Sequence, residues 1–300
     1  LWVSCYDDFE QLAHAPRGTP APNDGHTLRA YHLDTKSGEL TLKPTTLNQP
    51  RQAQAPISLP NPAFMRHLPT KHVLYVVTES IQNNGRVLAY KYDPADPDCA
   101  LTPLSDQSAE GASTCYVTID RACQWLLSVS YWDSVISVLP MGADGSLRPA
   151  KTKLPPPAQV RATSLEDHLA NRQSEPHAHA IVLDPIFGRI AFVPDLGTDV
   201  VRQYVFLPVL GGGLAPAGAV ACGPPGHAAH GPRYIEFCKP GRNAFVVNEL
   251  SSSVSVFRFE SELAAHVADK GPDAKNPRAL LTLLQLVSTL PLPAPPPTAY

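Results

Sequence analysis

The amino-acid sequence predicts an all-β chain, and three features carry that prediction. Short runs of apolar and β-branched residues, such as residues 73–78, recur along the chain. Many of the 33 prolines stand between these runs, and proline is excluded from central strands and helix interiors. Only two segments, residues 164–171 and 260–269, have a helical pattern. Short strands joined by proline-rich connections therefore account for most of the chain.

A strand unit recurs along the sequence, which is typical of repeat architectures. Each unit contains two neighbouring β-rich runs, at residues 71–79 and 86–92, 124–131 and 134–139, 189–196 and 200–206, and 242–249 and 253–259. A further strand precedes each pair, at residues 61–68, 113–120, 179–184 and 233–238. Weaker strands are predicted at residues 39–42, 100–103 and 146–148, and residues 1–6 and 28–33 fit the same frame.

Each unit is thus predicted to be four short antiparallel strands, which is the blade of a β-propeller. One partial blade and four clear blades can be counted, so about five are present. A β-sandwich is the competing all-β architecture, but it does not predict such a repeat. We expect residues 1–300 to form a single β-propeller domain.

The composition excludes several classes of function. The 300 residues are 43% hydrophobic with a net charge of -3, and no basic run indicates a nucleic-acid partner. The apolar stretches are far shorter than the roughly 20 residues that span a bilayer, so no membrane partner is expected. Six scattered cysteines without a CxxC pair indicate reduced thiols, and they argue against a disulfide framework or a cysteine-type zinc site.

The start of the sequence bears on the compartment. The first residue is Leu1, and no signal-peptide pattern is visible. We expect a cytoplasmic location, and the alternative is an organelle after removal of a targeting peptide.

Blade geometry predicts where a functional site forms. In an antiparallel pair the start of one strand and the end of the next lie together, and the innermost strands of a propeller line its central channel. Polar side chains at these positions should converge on one face, where a ligand site is expected. The candidates are His177, His179 and Arg233 at strand starts, and Glu79, Tyr131, Asp195 and Glu249 at strand ends.

The histidines allow structural and metal-binding alternatives. His177 and His179 are two apart on an extended segment, so both side chains point the same way, and they could simply cap the channel through hydrogen bonds. With His227 and His230 they could instead supply nitrogen ligands to a metal, although no metal site is predicted. The run at residues 211–213 follows no phosphate-loop pattern and predicts a hairpin tip.

The remaining candidates also have structural alternatives. Arg233 and Glu249 could form an ion pair that braces one blade. Glu79 and Asp195 could occupy turn or rim positions, and packing is favoured for Tyr131. As functional residues, these last three would bind substrate.

Several motifs resemble one known family. They are E-P-H-A-H at residues 175–179, F-V-P-D-L-G at 192–197, G-P-R-Y at 231–234 and V-N-E-L-S-S-S at 247–253. Residues 61–64 and 287–291 fit as well. The chain resembles the lactonase family over nearly its whole length. This family contains propeller-type 6-phosphogluconolactonases and the 3-carboxy-cis,cis-muconate cyclases of fungi.

The resemblance implies a seven-bladed propeller whose last blades are absent from this chain. It also implies a site with a histidine, arginines and a glutamate, which fall on His177 or His179, on Arg233 and on Glu249. A further arginine would belong to a blade after Tyr300. Inserts near residues 158–173 and 262–277 depart from the family pattern. If the propeller is truly incomplete, a partner chain is expected to cover its open edges.

The function implied by the resemblance is hydrolysis of a small sugar lactone, in carbohydrate metabolism and the pentose phosphate pathway, without a cofactor. Lactone hydrolysis needs a base to activate water, and Glu249 or His179 is the candidate. Arg233 would stabilise the oxyanion or hold a substrate anion. Two alternatives stay open: a carboxymuconate-type cycloisomerase, and a non-catalytic propeller that serves as a scaffold or binding module.

Overall fold

The structure is a computed structural model that describes residues 1–12, 27–42, 59–96, 100–156, 172–224, 229–238, 241–273 and 277–291. Several sequence predictions lie outside these residues. They are the helix at residues 164–171, the thiol of Cys99 and the metal-ligand role of His227.

The described residues form five antiparallel sheets. The first sheet contains β1 (Trp2–Ser4), β2 (Leu28–Leu33) and β3 (Leu40–Leu42). The second contains β4 (Pro62–Leu68), β5 (Val73–Thr78), β6 (Asn84–Tyr92) and β7 (Leu101–Ala112), and the third β8 (Thr114–Ile119), β9 (Trp125–Ser130), β10 (Ile136–Pro140) and β11 (Thr152–Leu154). The fourth contains β12 (Val182–Leu183), β13 (Ile190–Asp195), β14 (Val200–Leu207) and β15 (Gly213–Ala221), and the fifth β16 (Pro232–Phe237), β17 (Asn243–Asn248), β18 (Ser253–Phe259) and β19 (Leu281–Ser288).

Helical structure is sparse in the described residues, as predicted. The helix α1 (Ser261–Lys270) connects β18 to β19, where the sequence predicts a helix at residues 260–269. Three short 3-10 helices cover Phe9–Gln11, Pro69–Lys71 and Pro208–Leu210. In every sheet, neighbouring strands are consecutive in the chain. The repeated antiparallel unit confirms the prediction of an all-β, propeller-type fold.

The outermost strands differ most from the sequence prediction. The prediction of a strand at residues 146–148 is wrong, because this segment closes a tight turn after β10. In that turn Gly142 N–H donates to the Ser146 carbonyl at 2.7 Å, and Leu147 forms only an isolated bridge with Met141. The chain then returns as β11. In the second sheet the outer strand β7 has 12 residues and extends well past the predicted residues 100–103.

The second strand of the middle sheets explains the continuous apolar runs in the sequence. Every residue of β5, β9 and β13 is buried. A strand with only one face in the core would alternate between buried and exposed positions, so sheets cover both faces of these three strands. In β17, by contrast, alternate side chains such as Phe245 and Val247 are exposed.

Two buried aspartates hold the turn between the first and second strands of their sheets. The Asp120 carboxylate accepts backbone N–H groups of Ala122, Gln124 and Trp125 at 2.6 to 3.1 Å. The Asp184 carboxylate lies at the equivalent place after β12. It accepts four backbone N–H groups at 2.6 to 3.0 Å, from Ile186, Phe187, Arg189 and Ile190. A carboxylate with several N–H donors replaces the hydrogen bonds that the turn would otherwise make to water.

The described part of the chain contains one α-helix and three short 3-10 helices. None of those helices has the length and apolar character needed to cross a membrane.

We expect Asp184→Ala to lower the free energy of unfolding by about 3 kcal/mol, because it leaves buried N–H donors without an acceptor. Urea unfolding followed by circular dichroism measures this change. The matched control is Asp269→Ala, which removes an exposed ion pair with Arg189 and should cost less than about 1 kcal/mol. Equal losses in the two variants would contradict the role given to Asp184.

Candidate active site

One repeated hydrogen bond places the end of the second strand of a sheet beside the start of its first strand. The backbone N–H of the residue after the second strand donates to a carbonyl in the segment that leads into the first strand, directly before that strand in three sheets and five residues before β12 in the fourth. The four pairs are Glu79 with Asn61 at 2.9 Å, Tyr131 with Ser113 at 2.8 Å, Leu196 with His177 at 2.9 Å and Glu249 with Gly231 at 2.8 Å. The predicted strand ends and strand starts therefore lie at the same end of their sheets.

The chain enters the first strand through a left-handed residue in three of these sheets. The φ angles of Asn61, Ser113 and Gly231 are 44°, 57° and 64°. Glycine adopts this conformation without strain, and asparagine does so more readily than most residues. At Gly231 both the backbone conformation and the available space disfavour a side chain. The φ angle is positive, and a Cβ atom there would lie 2.5 Å from Cγ of Leu250.

A carboxylate between two arginines forms the centre of the candidate site. Glu249 Oε1 lies 2.6 Å from Nη2 of Arg172, and Glu249 Oε2 lies 2.6 Å from Nη1 of Arg233. Nη2 of Arg172 also donates to the Tyr131 hydroxyl at 3.3 Å. The three charged side chains are between 25% and 39% exposed, so a ligand can reach them. The cluster carries two positive charges and one negative charge, which favours an anion.

The arginines keep Glu249 ionised. Burial by itself raises the pKa of the Glu249 carboxyl, but the hydrogen bonds and charges of Arg172 and Arg233 outweigh burial, so the pKa lies below its usual value. Both carboxylate oxygens are already paired with guanidinium groups. Glu249 is therefore poorly placed to accept a proton from water.

The two histidines pack against one aromatic ring. The imidazole of His177 stacks on Tyr131 with a centroid distance of 4.7 Å, and His179 meets the edge of the same ring at 5.4 Å. His179 also contacts Tyr234 edge-on at 5.2 Å. Nδ1 of His177 bonds the Tyr131 carbonyl at 3.1 Å. Both side chains point to the same side, as the sequence predicts.

His179 is the histidine that faces the charged cluster. Burial, together with the positive charge of Arg233, lowers the pKa of His179 to about 4. Its side chain is 7% exposed, and Nδ1 has no hydrogen-bond partner among the described residues. The ring is therefore neutral at pH 7 and able to accept a proton or a hydrogen bond.

Glu79 lies on the same face but in different surroundings. Its carboxyl hydrogen-bonds the hydroxyl of Tyr6 and lies within the electrostatic field of Arg233. Burial raises the pKa of Glu79 to about 7, although the Tyr6 hydrogen bond and the charge of Arg233 both lower it. The thiol of Cys115 lies nearby, and burial raises its pKa well above the usual value.

The sequence predicts that Asp195 binds substrate, but the structure places its carboxylate in a buried ion pair. It is 0% exposed, and its Oδ2 pairs with Nη2 of buried Arg202 at 2.6 Å. Its Oδ1 accepts the backbone N–H groups of His177 at 2.8 Å and Thr198 at 3.0 Å. The carboxylate supports the segment that carries the histidines and has no open side towards the face. The reason is register: Asp195 is the last residue of β13, whereas Glu79, Tyr131 and Glu249 follow their strands.

The structure gives little support to the metal alternative. Within the described residues no three His, Cys, Asp or Glu side chains are arranged to hold a metal ion. Nδ1 of His230 bonds Ser251 Oγ at 3.1 Å, and its backbone N–H donates to Asp199 at 2.8 Å. Gly211 and Gly212 lie in the connection from β14 to β15, and Gly213 begins β15, which confirms the predicted hairpin tip.

Sequence reasoning missed three members of the face: Arg172, Tyr6 and Tyr234. Arg172 lies in the insert near residues 158–173, which has no counterpart in the repeat. Tyr6 lies in the predicted first strand, whereas β1 ends at Ser4 and leaves Tyr6 in the loop that follows. Tyr234 stands directly after Arg233 within a recognised motif, so that motif was a signal that could have identified it.

The comparisons with known proteins agree with the propeller fold. The family described as "Lactonase, 7-bladed beta-propeller" matches residues 2–267. A 6-phosphogluconolactonase of Bacillus subtilis is 29% identical over 242 residues, which cover 81% of this chain and 61% of that protein. One from Formosa agariphila is 25% identical, covering 84% of this chain and 65% of that protein. A solved periplasmic gluconolactonase of Pseudomonas aeruginosa has a TM-score of 0.67 and 26% identity, covering 90% of this chain and 66% of that one.

The fold is that of a β-propeller, and the arginines, histidines and aromatic rings of several sheets form a candidate ligand site on one face. The family match covers most of the chain, and the chain belongs to the lactonase family of seven-bladed β-propellers. The chain spans under two thirds of the length of these relatives.

We expect Asp195→Asn to destabilise the protein by about 3 kcal/mol, because it leaves the buried Arg202 charge without its partner. Glu249→Gln should cost less than about 1.5 kcal/mol, since Glu249 is partly exposed and its arginines remain solvated. Thermal and urea unfolding of both variants measure the difference. If Glu249→Gln were the more destabilising change, Glu249 would have to be regarded as a structural brace.

Proposed function

We propose that this chain carries the active site of a sugar-lactone hydrolase, and that its substrate is an anionic sugar lactone. The observation that carries the proposal is the Arg172–Glu249–Arg233 cluster beside the neutral ring of His179 on one accessible face. Membership of the lactonase family, and relatives named 6-phosphogluconolactonase, support the same reaction class.

The two arginines suit both the reaction and the substrate. Hydrolysis of a lactone places negative charge on the carbonyl oxygen, and preorganised cationic donors stabilise that charge. A guanidinium group has five N–H donors, so each arginine retains donors beyond its bond to Glu249. One arginine can bind the carbonyl oxygen while the other binds a phosphate or carboxylate of the substrate.

The proton acceptor in this proposal is His179 and not Glu249. A base must be unprotonated and have a free lone pair near the attacking water. The oxygens of Glu249 are occupied by the arginines, and its pKa is lowered. His179 is neutral above about pH 4, so one of its ring nitrogens has a free lone pair, and the ring lies between Tyr131 and Tyr234. Glu249 then positions the two arginines, and Tyr131 holds Arg172 and the histidine rings.

The cellular location belongs to the proposal as well. We place the protein in the cytoplasm. Cell fractionation with an antibody tests this, and recovery in an organelle or the periplasm would overturn it. The gluconolactonase with the similar fold is periplasmic, so the second outcome has a precedent.

The direct test is hydrolysis of 6-phosphogluconolactone and of gluconolactone by the full-length protein, followed by acid release at constant pH. We expect both to be hydrolysed, the phosphorylated lactone with the higher kcat/KM. In Arg172→Gln the kcat/KM for the phosphorylated lactone should fall about 10- to 100-fold, as expected for one charged hydrogen bond. Arg86→Gln, which removes an exposed arginine paired with Asp106, is the matched control and should leave the rate unchanged.

Product analysis separates the alternatives. Formation of a lactone from a dicarboxylate, with no hydrolysis, would favour the cycloisomerase, and no turnover of either lactone would favour a binding module. If Arg172→Gln leaves the kcat/KM unchanged, Arg172 does not take part in substrate binding or catalysis.

The two histidines should respond differently to substitution. His179→Gln removes the proton acceptor and should lower kcat by about 10²-fold or more. His177→Gln removes a stacked ring and a hydrogen bond to Tyr131, so we expect a loss of stability of about 1 to 2 kcal/mol with kcat kept within a few-fold. Steady-state kinetics and urea unfolding on both variants measure these effects. The reverse pattern would assign the catalytic role to His177.

A further inference from the structure

A second titratable pair lies on the same face, outside the arginine cluster. Glu79 follows β5, and its carboxyl hydrogen-bonds the hydroxyl of Tyr6. Tyr6 reaches this position from the first sheet, whereas Glu79 belongs to the second. The contact therefore joins two blades and is not formed by a local turn.

A buried asparagine fixes the segment that carries Tyr6. Asn61 is 0% exposed, and its Oδ1 accepts the backbone N–H groups of Asp7 at 3.0 Å and Asp8 at 2.9 Å. Its Nδ2 donates to the Asp8 carbonyl at 2.7 Å, and its own N–H donates to the Asp7 carboxylate at 2.8 Å. The carbonyl of Asn61 also accepts the N–H of Glu79 at 2.9 Å. One residue thus holds both members of the Tyr6–Glu79 pair.

The surroundings of Glu79 give it a different protonation state at neutral pH from the other titratable groups nearby. The charged or titratable side chains that act on it are Tyr6, Cys115 and Arg233. Neither Tyr6 nor Cys115 ionises near neutral pH, because burial raises the pKa of both groups far above it. Glu79, with a pKa of about 7, is partly protonated at pH 7, while His179, with a pKa of about 4, is neutral. Two neighbouring groups whose pKa values are shifted in opposite directions are typical of an acid and a base that act together.

We propose that Glu79 is the general acid of the lactonase reaction, held in place by Tyr6, and that it donates its proton to the ring oxygen of the substrate. The inference rests on the proposed function and extends it, since the arginines and His179 leave the ring oxygen without a proton donor. The accessible face brings Glu79 together with Arg233, whose charge acts on both Glu79 and His179.

The proposed step balances in atoms and protons. The oxygen of water forms a bond to the carbonyl carbon, and one proton of that water passes to His179. The bond between the carbonyl carbon and the ring oxygen breaks, and the ring oxygen takes the proton of Glu79. The product is the open-chain hydroxy acid. The imidazolium proton then passes through solvent to the Glu79 carboxylate, which restores both groups.

The pH dependence of kcat tests this assignment, after the uncatalysed hydrolysis rate is subtracted at each pH. An acid is active only while protonated, so the rate should fall as pH rises through the pKa of Glu79, near 7. A base is active only while unprotonated, so the rate should fall on the acid side as pH drops through the pKa of His179, near 4. The expected profile is a bell with a plateau between these values.

Two variants give readouts that a purely structural role would not change. Glu79→Gln should lower kcat by about 10²-fold or more and remove the alkaline fall. Tyr6→Phe removes a hydrogen bond that lowers the pKa of Glu79, so the alkaline fall should move to higher pH while activity persists. Glu79→Asp should recover part of the rate. Circular dichroism and urea unfolding on each variant separate these effects from loss of the fold.

The outcomes distinguish the two proposals. If the unmodified protein hydrolyses sugar lactones but Glu79→Gln retains its rate, or if the rate rises through pH 7, Glu79 is not the acid and the lactonase proposal stands. If Tyr6→Phe leaves the alkaline limb unmoved, the pairing with Tyr6 has no catalytic part and the inference fails in that form. If the unmodified protein hydrolyses no sugar lactone, the proposed function itself fails and this inference fails with it.

Discussion

The hydrogen bond between the residue after the second strand and the start of the first strand determines where the polar face forms. It recurs in four sheets, at 2.8 or 2.9 Å, and it places one side chain from each sheet at the same end. The arrangement of the sheets in the propeller then brings Glu79, Tyr131 and Glu249 to one surface although they are far apart in sequence. The site depends on this repeated backbone geometry, and the side chains then differ by sheet.

Two glutamates at equivalent positions have opposite electrostatic surroundings. Glu249 lies between two guanidinium groups, which hold its pKa below the usual value, whereas burial raises the pKa of Glu79 to about 7. A repeat architecture favours this divergence, because each blade supplies the same backbone position with different neighbours. Identical positions can therefore carry a fixed charge in one blade and a titrating group in another.

Membership of the lactonase family agrees with the fold and narrows the chemistry, but a fold by itself does not define a function. The proposed function depends on particular contacts: two arginines on one carboxylate, a neutral histidine between aromatic rings, and a carboxyl bound to a tyrosine. Arg172 lies in an insert in the sequence, and in the structure it forms an ion pair with Glu249. The second positive charge of the described face therefore comes from outside the blade repeat.

The sequence by itself determined most of the strands, the outermost ones excepted, and their grouping into blades, because runs of β-rich residues and the turns between them are properties of local sequence. Only the tertiary structure decided which histidine faces the arginines, that Asp195 is a buried partner of Arg202, and that Arg172 and Tyr6 join the site. It also placed β11 at Thr152–Leu154 after a tight turn. These outcomes depend on contacts between segments from different blades. Local patterns carry no information about such contacts, because burial and charge at each position are set by neighbours distant in the chain.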